Sequence, residues 1–379
     1  MARGQLEATR SVVARTALDV LLLPDVGMEP LSWLVAFGRV ASVQCVWWGH
    51  PSTTGLPSID YFISLDVEID ESGGHANDDG FGVDGVRGAH ARGAPSDTRV
   101  TVAHPHYAEQ LVRMRVVNTA PYAPAPLGRE DDVTLADLGL ALDDDDDPDE
   151  AHVFVVLGRL FKLGSGFDEL ARRLLRADPR AVIALIAERH RPWNSRTWLR
   201  LRAALADDED DRDLGHSCGG ADWPPLLRRV RFVHYWNYER VLARAVAVLD
   251  TYPYGGCLTA LEALSHGVPI ITMPAPYLRG RFTAAIYAQM GLSPPPNATP
   301  PRTPRRQADS EPRPFTVQGE SCCVARDADE LVSLALRLAN DGAHRARVVG
   351  SIEHAYRTAL HRNEEAADEW AMLFLRAVG

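Results

Sequence analysis

The stretch Leu249-Asp250-Thr251-Tyr252-Pro253-Tyr254-Gly255-Gly256-Cys257-Leu258-Thr259-Ala260-Leu261-Glu262-Ala263-Leu264 has the residue types to hold an anion. It reads as a strand, a glycine-bearing loop and a helix. Gly255 and Gly256 carry no Cβ, so the backbone there can come close to a ligand. The helix start near Thr259 offers free N–H groups and the positive end of the helix dipole, which suits a diphosphate. Glu262 lies one turn further in, where a carboxylate can accept hydrogen bonds from ribose hydroxyls. An ordinary βα turn explains the same residues, with Glu262 merely complementing the dipole. Two adjacent glycines alone favour that plainer reading.

The elements that would position this stretch follow from apolar runs and their breaks. Leu18–Leu23, Val43–Trp48 and Tyr61–Leu65 read as strands in the first part of the chain, with a helix over Pro30–Val40. From about Ala151, strands at Val153–Leu157, Ala181–Ile186, Val230–Val233, Val246–Leu249 and Val268–Met273 alternate with helices. Those helices are Asp168–Arg176, Trp198–Leu205, Tyr238–Ala245 and Thr259–Ser265, the last closed by Gly267 as a cap. Ala328–Asn340 and Ala343–Val378 are strongly periodic. Strands alternating with helices in two segments predict two doubly wound α/β domains, with ligands at the carboxyl ends of the strands. Residues 71–97 read as a long insertion, 126–150 as a Pro- and Asp-rich linker, and 294–314 as a Pro-rich basic insertion.

Composition narrows the partners. The chain has 379 residues, 46% of them hydrophobic, enough for two cores. Its net charge is −11 and its arginines are dispersed among acids, so no nucleic-acid partner is expected. Cys45, Cys218, Cys257, Cys322 and Cys323 form no Cys-x-x-Cys pair and fit reduced thiols. No apolar stretch approaches the roughly 20 residues needed to span a bilayer, so no membrane partner is expected. A cytoplasmic or nucleocytoplasmic location follows as an expectation. The acidic runs Asp143–Asp147 and Asp207–Asp211 read as solvated linkers rather than metal sites. His104, His106, His234 and His266 make no metal-ligand set by spacing, and no nucleophile elbow is present.

Several blocks, in order, resemble the catalytic region of the O-GlcNAc transferase/SPINDLY family of GT-B glycosyltransferases. They are Pro24–Leu31, Ser42–Gly55 and Ser58–Ser64, then Leu160-Phe161-Lys162, Leu249–Glu262 and Leu278-Arg279-Gly280-Arg281-Phe282-Thr283. The run Glu262-Ala263-Leu264-Ser265-His266-Gly267-Val268-Pro269 is similar to an element found after the phosphate loop in many GT-B enzymes.

The resemblance implies a GT-B-like α/β fold of two Rossmann-like lobes with a cleft between them, the N-terminal one incomplete. Residues 1–125 would form that partial lobe, 151–345 the C-terminal nucleotide-binding lobe, and 346–379 a crossing helix. Lys162 matches the family lysine on the donor diphosphate, where an ammonium stabilises the leaving group. It is the sole lysine of the chain and follows a buried strand; a surface lysine on a loop is the alternative. Thr259 matches a phosphate-binding threonine and Glu262 a ribose-binding acid. Tyr238 falls where animal enzymes stack a side chain on uracil, and a core tyrosine on a helix face is the other reading. The loop His50-Pro51-Ser52-Thr53-Thr54-Gly55 corresponds to a segment near the donor sugar, though a plain turn explains it too.

Cys257, Leu258 and Ala260 stand where the family has polar or glycine residues, and Arg159 where animal enzymes have glutamine. The resemblance implies inverting, metal-independent transfer of GlcNAc from UDP-GlcNAc to Ser/Thr hydroxyls of proteins, with no cofactor beyond the nucleotide-sugar donor. GDP-fucose as donor, and a nucleotide-sugar-binding remnant without activity, are the alternatives. The general base and the oligomeric state are not assigned.

Overall fold

Apolar runs of strand length build two separate five-stranded sheets in the computed structural model. It describes residues 3–67, 99–101, 106–115, 117, 133–142, 150–206, 223–293, 323–361 and 363–378. The chain divides into two units. Residues 1–120, 277–279 and 362–379 form the first, and 121–276 and 280–361 the second. The insertions expected at 71–97 and 294–314 and both acidic runs lie outside the described residues, as do His104, Cys218 and Cys322.

In the first unit, β1 (Val20–Leu23), β2 (Val43–Trp47), β3 (Tyr61–Leu65) and β5 (Gln110–Met114) run parallel, in the order β1-β2-β3-β5. β4 (Arg99–Thr101) adds to β5 antiparallel at the edge. Cys45, Val46, Phe62, Ile63, Leu111, Val112 and Met114 are buried, as expected for parallel strands covered on both faces. The helices are α1 (Arg3–Arg15), α2 (Pro30–Ala36) and α10 (Glu364–Val378). Pro30 suits the first turn of α2 because its missing N–H has no partner there anyway, and the Glu29 carboxylate accepts from Leu31 N at 3.1 Å.

The periodic stretch expected over Ala343–Val378 is not one helix. It stops after Leu360, His361 turns to an extended conformation, and Asn363 starts α10 by accepting from Ala366 N at 3.3 Å. α10 is then fastened within the first unit. Glu369, 5% exposed, accepts from Arg115 N at 3.0 Å and Arg115 Nε at 3.2 Å, and Trp370 meets Trp47 edge-on at 6.1 Å.

In the second unit, β6 (His152–Val156), β7 (Ala181–Ile186), β8 (Val230–Val233), β9 (Ala247–Leu249) and β10 (Ile270–Ile271) are all parallel. Their order is β10-β9-β6-β7-β8. The helices are α3 (Ser165–Ala177), α4 (Arg191–Leu205), α5 (Tyr238–Arg244), α6 (Leu258–Ser265), α7 (Phe282–Gln289), α8 (Ala328–Asn340) and α9 (Gly342–Ala355). α3 buries Phe167, Leu170, Ala171, Leu174 and Leu175, the spacing of one helix face. α4 begins at Arg191, seven residues before Trp198, because Pro192 opens its first turn. Gly267 ends α6 at φ +75°, a left-handed conformation that favours glycine.

The strand expected over Val268–Met273 shortens to two residues. Beyond it, Thr272 pairs instead with the chain that follows residue 322. Its N–H donates to Cys323 O at 2.9 Å and its carbonyl accepts from Ala325 N at 2.8 Å. Leu135, Leu138 and Leu140, inside the stretch expected as a linker, are buried against Val153, Val155 and Val182 of β6 and β7.

Candidate functional site

The strand order places the site of the second unit. From β6 the chain moves outward through β7 to β8, and β9 then returns to the other side of β6. The direction of winding reverses between β6 and β9, and the crevice outside the carboxyl ends of such a strand pair is where doubly wound sheets bind ligands. Two loops meet there. The turn after β6 carries Gly158 and leads to a single 3-10 turn, Leu160–Lys162; the loop after β9 runs from Asp250 to Cys257 and into α6. Gly158, Asp250, Gly256, Thr259 and Ala260 line a small recess between them. Gly158 has to be glycine for the loops to approach: a Cβ there would stand 2.5 Å from Thr251 Cγ2. Sequence reasoning passed over Gly158, although a glycine two residues past a buried strand was the available signal.

Lys162 grips the loop that lines this recess. Its Nζ donates to Gly255 O at 2.9 Å and lies 3.8 Å from the centroid of the Tyr254 ring. An ammonium has three donors, so further ones remain for an anion. Burial lowers the Lys162 pKa from its ordinary value, and the Asp250 charge opposes that shift. The turn that presents Lys162 is itself held. Glu188 accepts from Leu160 N at 3.2 Å and pairs with Arg159 Nε at 2.8 Å. Arg200 donates to Leu163 O at 2.7 Å and to the buried Asp168 carboxylate at 2.7 Å.

The glycines of the second loop also have a role within the unit. A Cβ on Gly255 would meet Asp250 Oδ2 at 2.9 Å, and one on Gly256 would meet Thr259 Oγ1 at 2.9 Å. Their missing side chains thus make room for the loop's own Asp250 and Thr259. Asp250 lies at the carboxyl end of β9 and is part-buried. Its Oδ1 accepts from Thr251 N at 2.9 Å and Gly256 N at 2.8 Å, and its Oδ2 from the hydroxyls of Thr272 at 2.8 Å and Thr283 at 2.7 Å. Burial raises its pKa while these four hydrogen bonds pull it down. Desolvation likewise pushes the neighbouring Cys257 thiol up to about 12.

Thr259 is the second residue of α6 and half-buried at the recess. Glu262, one turn on, is exposed and accepts from the Tyr238 hydroxyl at 2.9 Å. Burial and then the Glu262 charge raise the Tyr238 pKa. Two residues with separate expected roles therefore form one pair that ties the start of α5 to α6.

The candidate loop of the first unit follows β2. Pro51 is buried, Gly55 sits at φ +66°, and the His50 ring packs against Gly27, where a Cβ would meet His50 Cγ at 2.8 Å. The hydroxyls of Thr53 and Thr54 point at Glu109, just before β5. Thr53 Oγ1 donates to Glu109 Oε2 at 2.7 Å, Thr54 N donates to Oε1 at 2.7 Å, and the Thr54 hydroxyl also donates to Oε1. Glu109 is only 4% exposed. The two hydroxyls expected to hold a sugar are engaged within the unit by a carboxylate that sequence reasoning missed. A lone acid ahead of an apolar strand was its only signal.

Among the described residues, no group of three or more His, Cys, Asp or Glu is placed to hold a metal ion. Among them, too, no helix is long and apolar enough to cross a membrane.

No protein-family model matches the chain. Over 262 residues, 67% of its length, it is 24% identical to the probable UDP-N-acetylglucosamine–peptide N-acetylglucosaminyltransferase SPINDLY of Arabidopsis thaliana. The chain spans 22% of the length of that relative. A solved Thermobaculum terrenum O-GlcNAc transferase variant superposes with a TM-score of 0.62 at 20% identity, covering 98% of this chain and 56% of that one. Sucrose-phosphate synthase from Thermosynechococcus elongatus superposes with a TM-score of 0.53 at 14% identity, covering 98% and 76%. The two parallel sheets and their helices are thus a mixed α/β architecture of the GT-B glycosyltransferase type, in a chain with distant sequence similarity to SPINDLY.

Proposed function

We propose that the chain is a glycosyltransferase whose second unit binds the diphosphate of a nucleotide sugar. The observation that carries this is one juxtaposition. A half-buried lysine, a backbone loop and the start of an eight-residue helix converge where the strand order reverses. Lys162 and the N–H groups at the start of α6 would take the charge that develops on the leaving diphosphate. Tyr238 would offer its ring to the base and Glu262 its carboxylate to the ribose, each keeping the hydrogen bond that joins them.

The distant similarity to SPINDLY supports a finer reading: GlcNAc moved from UDP-GlcNAc to a Ser or Thr hydroxyl of a protein, with inversion. In that step the acceptor oxygen bonds to the anomeric carbon, the bond from that carbon to the diphosphate oxygen breaks, and the hydroxyl proton passes to a base. None of the residues above is assigned as that base. Charge neutralisation falls to Lys162 and α6, so EDTA should leave donor binding unchanged.

Calorimetric titration of the purified chain with UDP and with GDP, in EDTA, tests this. UDP should bind, and Lys162→Ala should weaken it by about 1.5–3 kcal/mol, the scale of a charged hydrogen bond. Preference for GDP would move the donor to a GDP-sugar such as GDP-fucose. No binding of either nucleotide would leave a fold without a working donor site.

A further inference from the structure

Asp250 is a part-buried carboxylate that lines the recess, and the reaction proposed above makes no use of it. All of its acceptor capacity is taken by donors of the same unit. One oxygen holds the loop after β9, through Thr251 N and Gly256 N. The other holds two threonine hydroxyls from distant elements, Thr272 beyond β10 and Thr283 in the first turn of α7. Both threonines are buried, 2% and 1% exposed. Four donors on two oxygens match the acceptor capacity of an ionised carboxylate, while burial pulls its pKa upward. Its loop partners belong to the peptide that Lys162 grips, since Lys162 Nζ donates to Gly255 O, next to the Gly256 N–H that Asp250 receives. Gly255 has no Cβ because the Asp250 carboxylate fills that space.

We propose that Asp250 is the positioning residue of the diphosphate site. It fixes the Gly255-Gly256 backbone from beneath and places a negative charge behind Lys162. It acts through that backbone, its own oxygens being committed to the loop and to two threonines. Thr272 and Thr283 are part of this device, because their hydroxyls fix the second oxygen and so the plane of the carboxylate. The inference rests on the reading of this recess as a nucleoside-diphosphate site.

The distinguishing readout is a comparison of two probes, UDP and uridine. A positioning role acts on the diphosphate, so Asp250→Asn should weaken UDP binding at least tenfold and leave uridine binding within about twofold. The asparagine keeps the shape but removes the charge. A finer pair repeats the test where the charge survives. Thr283→Val should weaken UDP several-fold with uridine unchanged, while Thr283→Ser, which keeps the hydroxyl, should restore UDP affinity.

Equal losses for UDP and uridine would show general damage to the unit and overturn the assignment. Unchanged UDP affinity in Asp250→Asn would overturn it as well. Should Asp250→Asn fail to fold, the Val and Ser variants at position 283 decide, and identical UDP affinity in those two would refute the role. Failure of the unaltered chain to bind UDP would sink the reading of the recess, and the assignment with it. Loss confined to the variants cannot be confused with that result.

Discussion

Lys162 is partly desolvated against the Gly255 loop, so an arriving diphosphate would change its affinity for a proton. In the unliganded chain burial puts its pKa below the ordinary 10.5. A bound dianion would raise it again. Below the depressed value the lysine is charged before and after binding, and it adds no pH dependence. Above that value binding must take up a proton, so UDP affinity should fall as pH rises, beginning below 10.5. Titrations in two buffers of different ionisation enthalpy would read that proton directly, and Lys162→Ala should abolish the uptake. Uptake that persists in the variant would assign the proton to another group. The placement of Lys162 on the turn after β6, and of Thr259 and Glu262 in the first turns of α6, was legible in the sequence because it follows from local order after a strand. Asp250 and Glu109 were not. Their partners lie far off in the chain, Thr272 and Thr283 for the first and Thr53 and Thr54 for the second. A single acid among apolar neighbours gives no sign of which hydroxyls will reach it.

At the scale of elements, close approaches of backbone decide where glycine is required. Gly280 precedes α7, and a methyl there would stand 2.4 Å from Pro253 O and 2.4 Å from Ala275 Cβ. One of those atoms is backbone and cannot rotate aside. Gly280→Ala should therefore destabilise by about 1–3 kcal/mol, read as a lower urea midpoint with little change in slope. A midpoint equal to that of the unaltered chain would mean the segment before α7 gives way easily. The strands were visible as apolar runs, and β3, β7 and β8 fall on the expected residues. α7 was not visible. Phe282 through Tyr287 are all buried, so the helix has no polar face and no period to detect. α1 escaped for the opposite reason, being too polar to announce a buried side.

For the whole molecule, the decisive fact is strand order, which no local pattern contains. Only the return of β9 to the far side of β6 sets the Lys162 turn beside the Gly255-Gly256 loop. Those segments lie 93 residues apart in sequence. Hydrogen exchange offers a test at this scale. Saturation with UDP should slow amide exchange over residues 157–163 and 250–262 and leave β1, β2 and β3 unaffected. Protection spread evenly over both units would point to a different site. Two parallel sheets were expected from alternation of strands and helices; the place where one of them reverses was not.

Thr272 is claimed from two directions. Its backbone pairs with Cys323 and Ala325, and its hydroxyl is committed to Asp250. The chain re-enters the sheet, after residues 294–322, at the very residue that steadies the loop. The peptide groups of Cys323 and Ala325 are therefore held through Thr272, and a substitution that displaced them would be felt at the loop through that same residue.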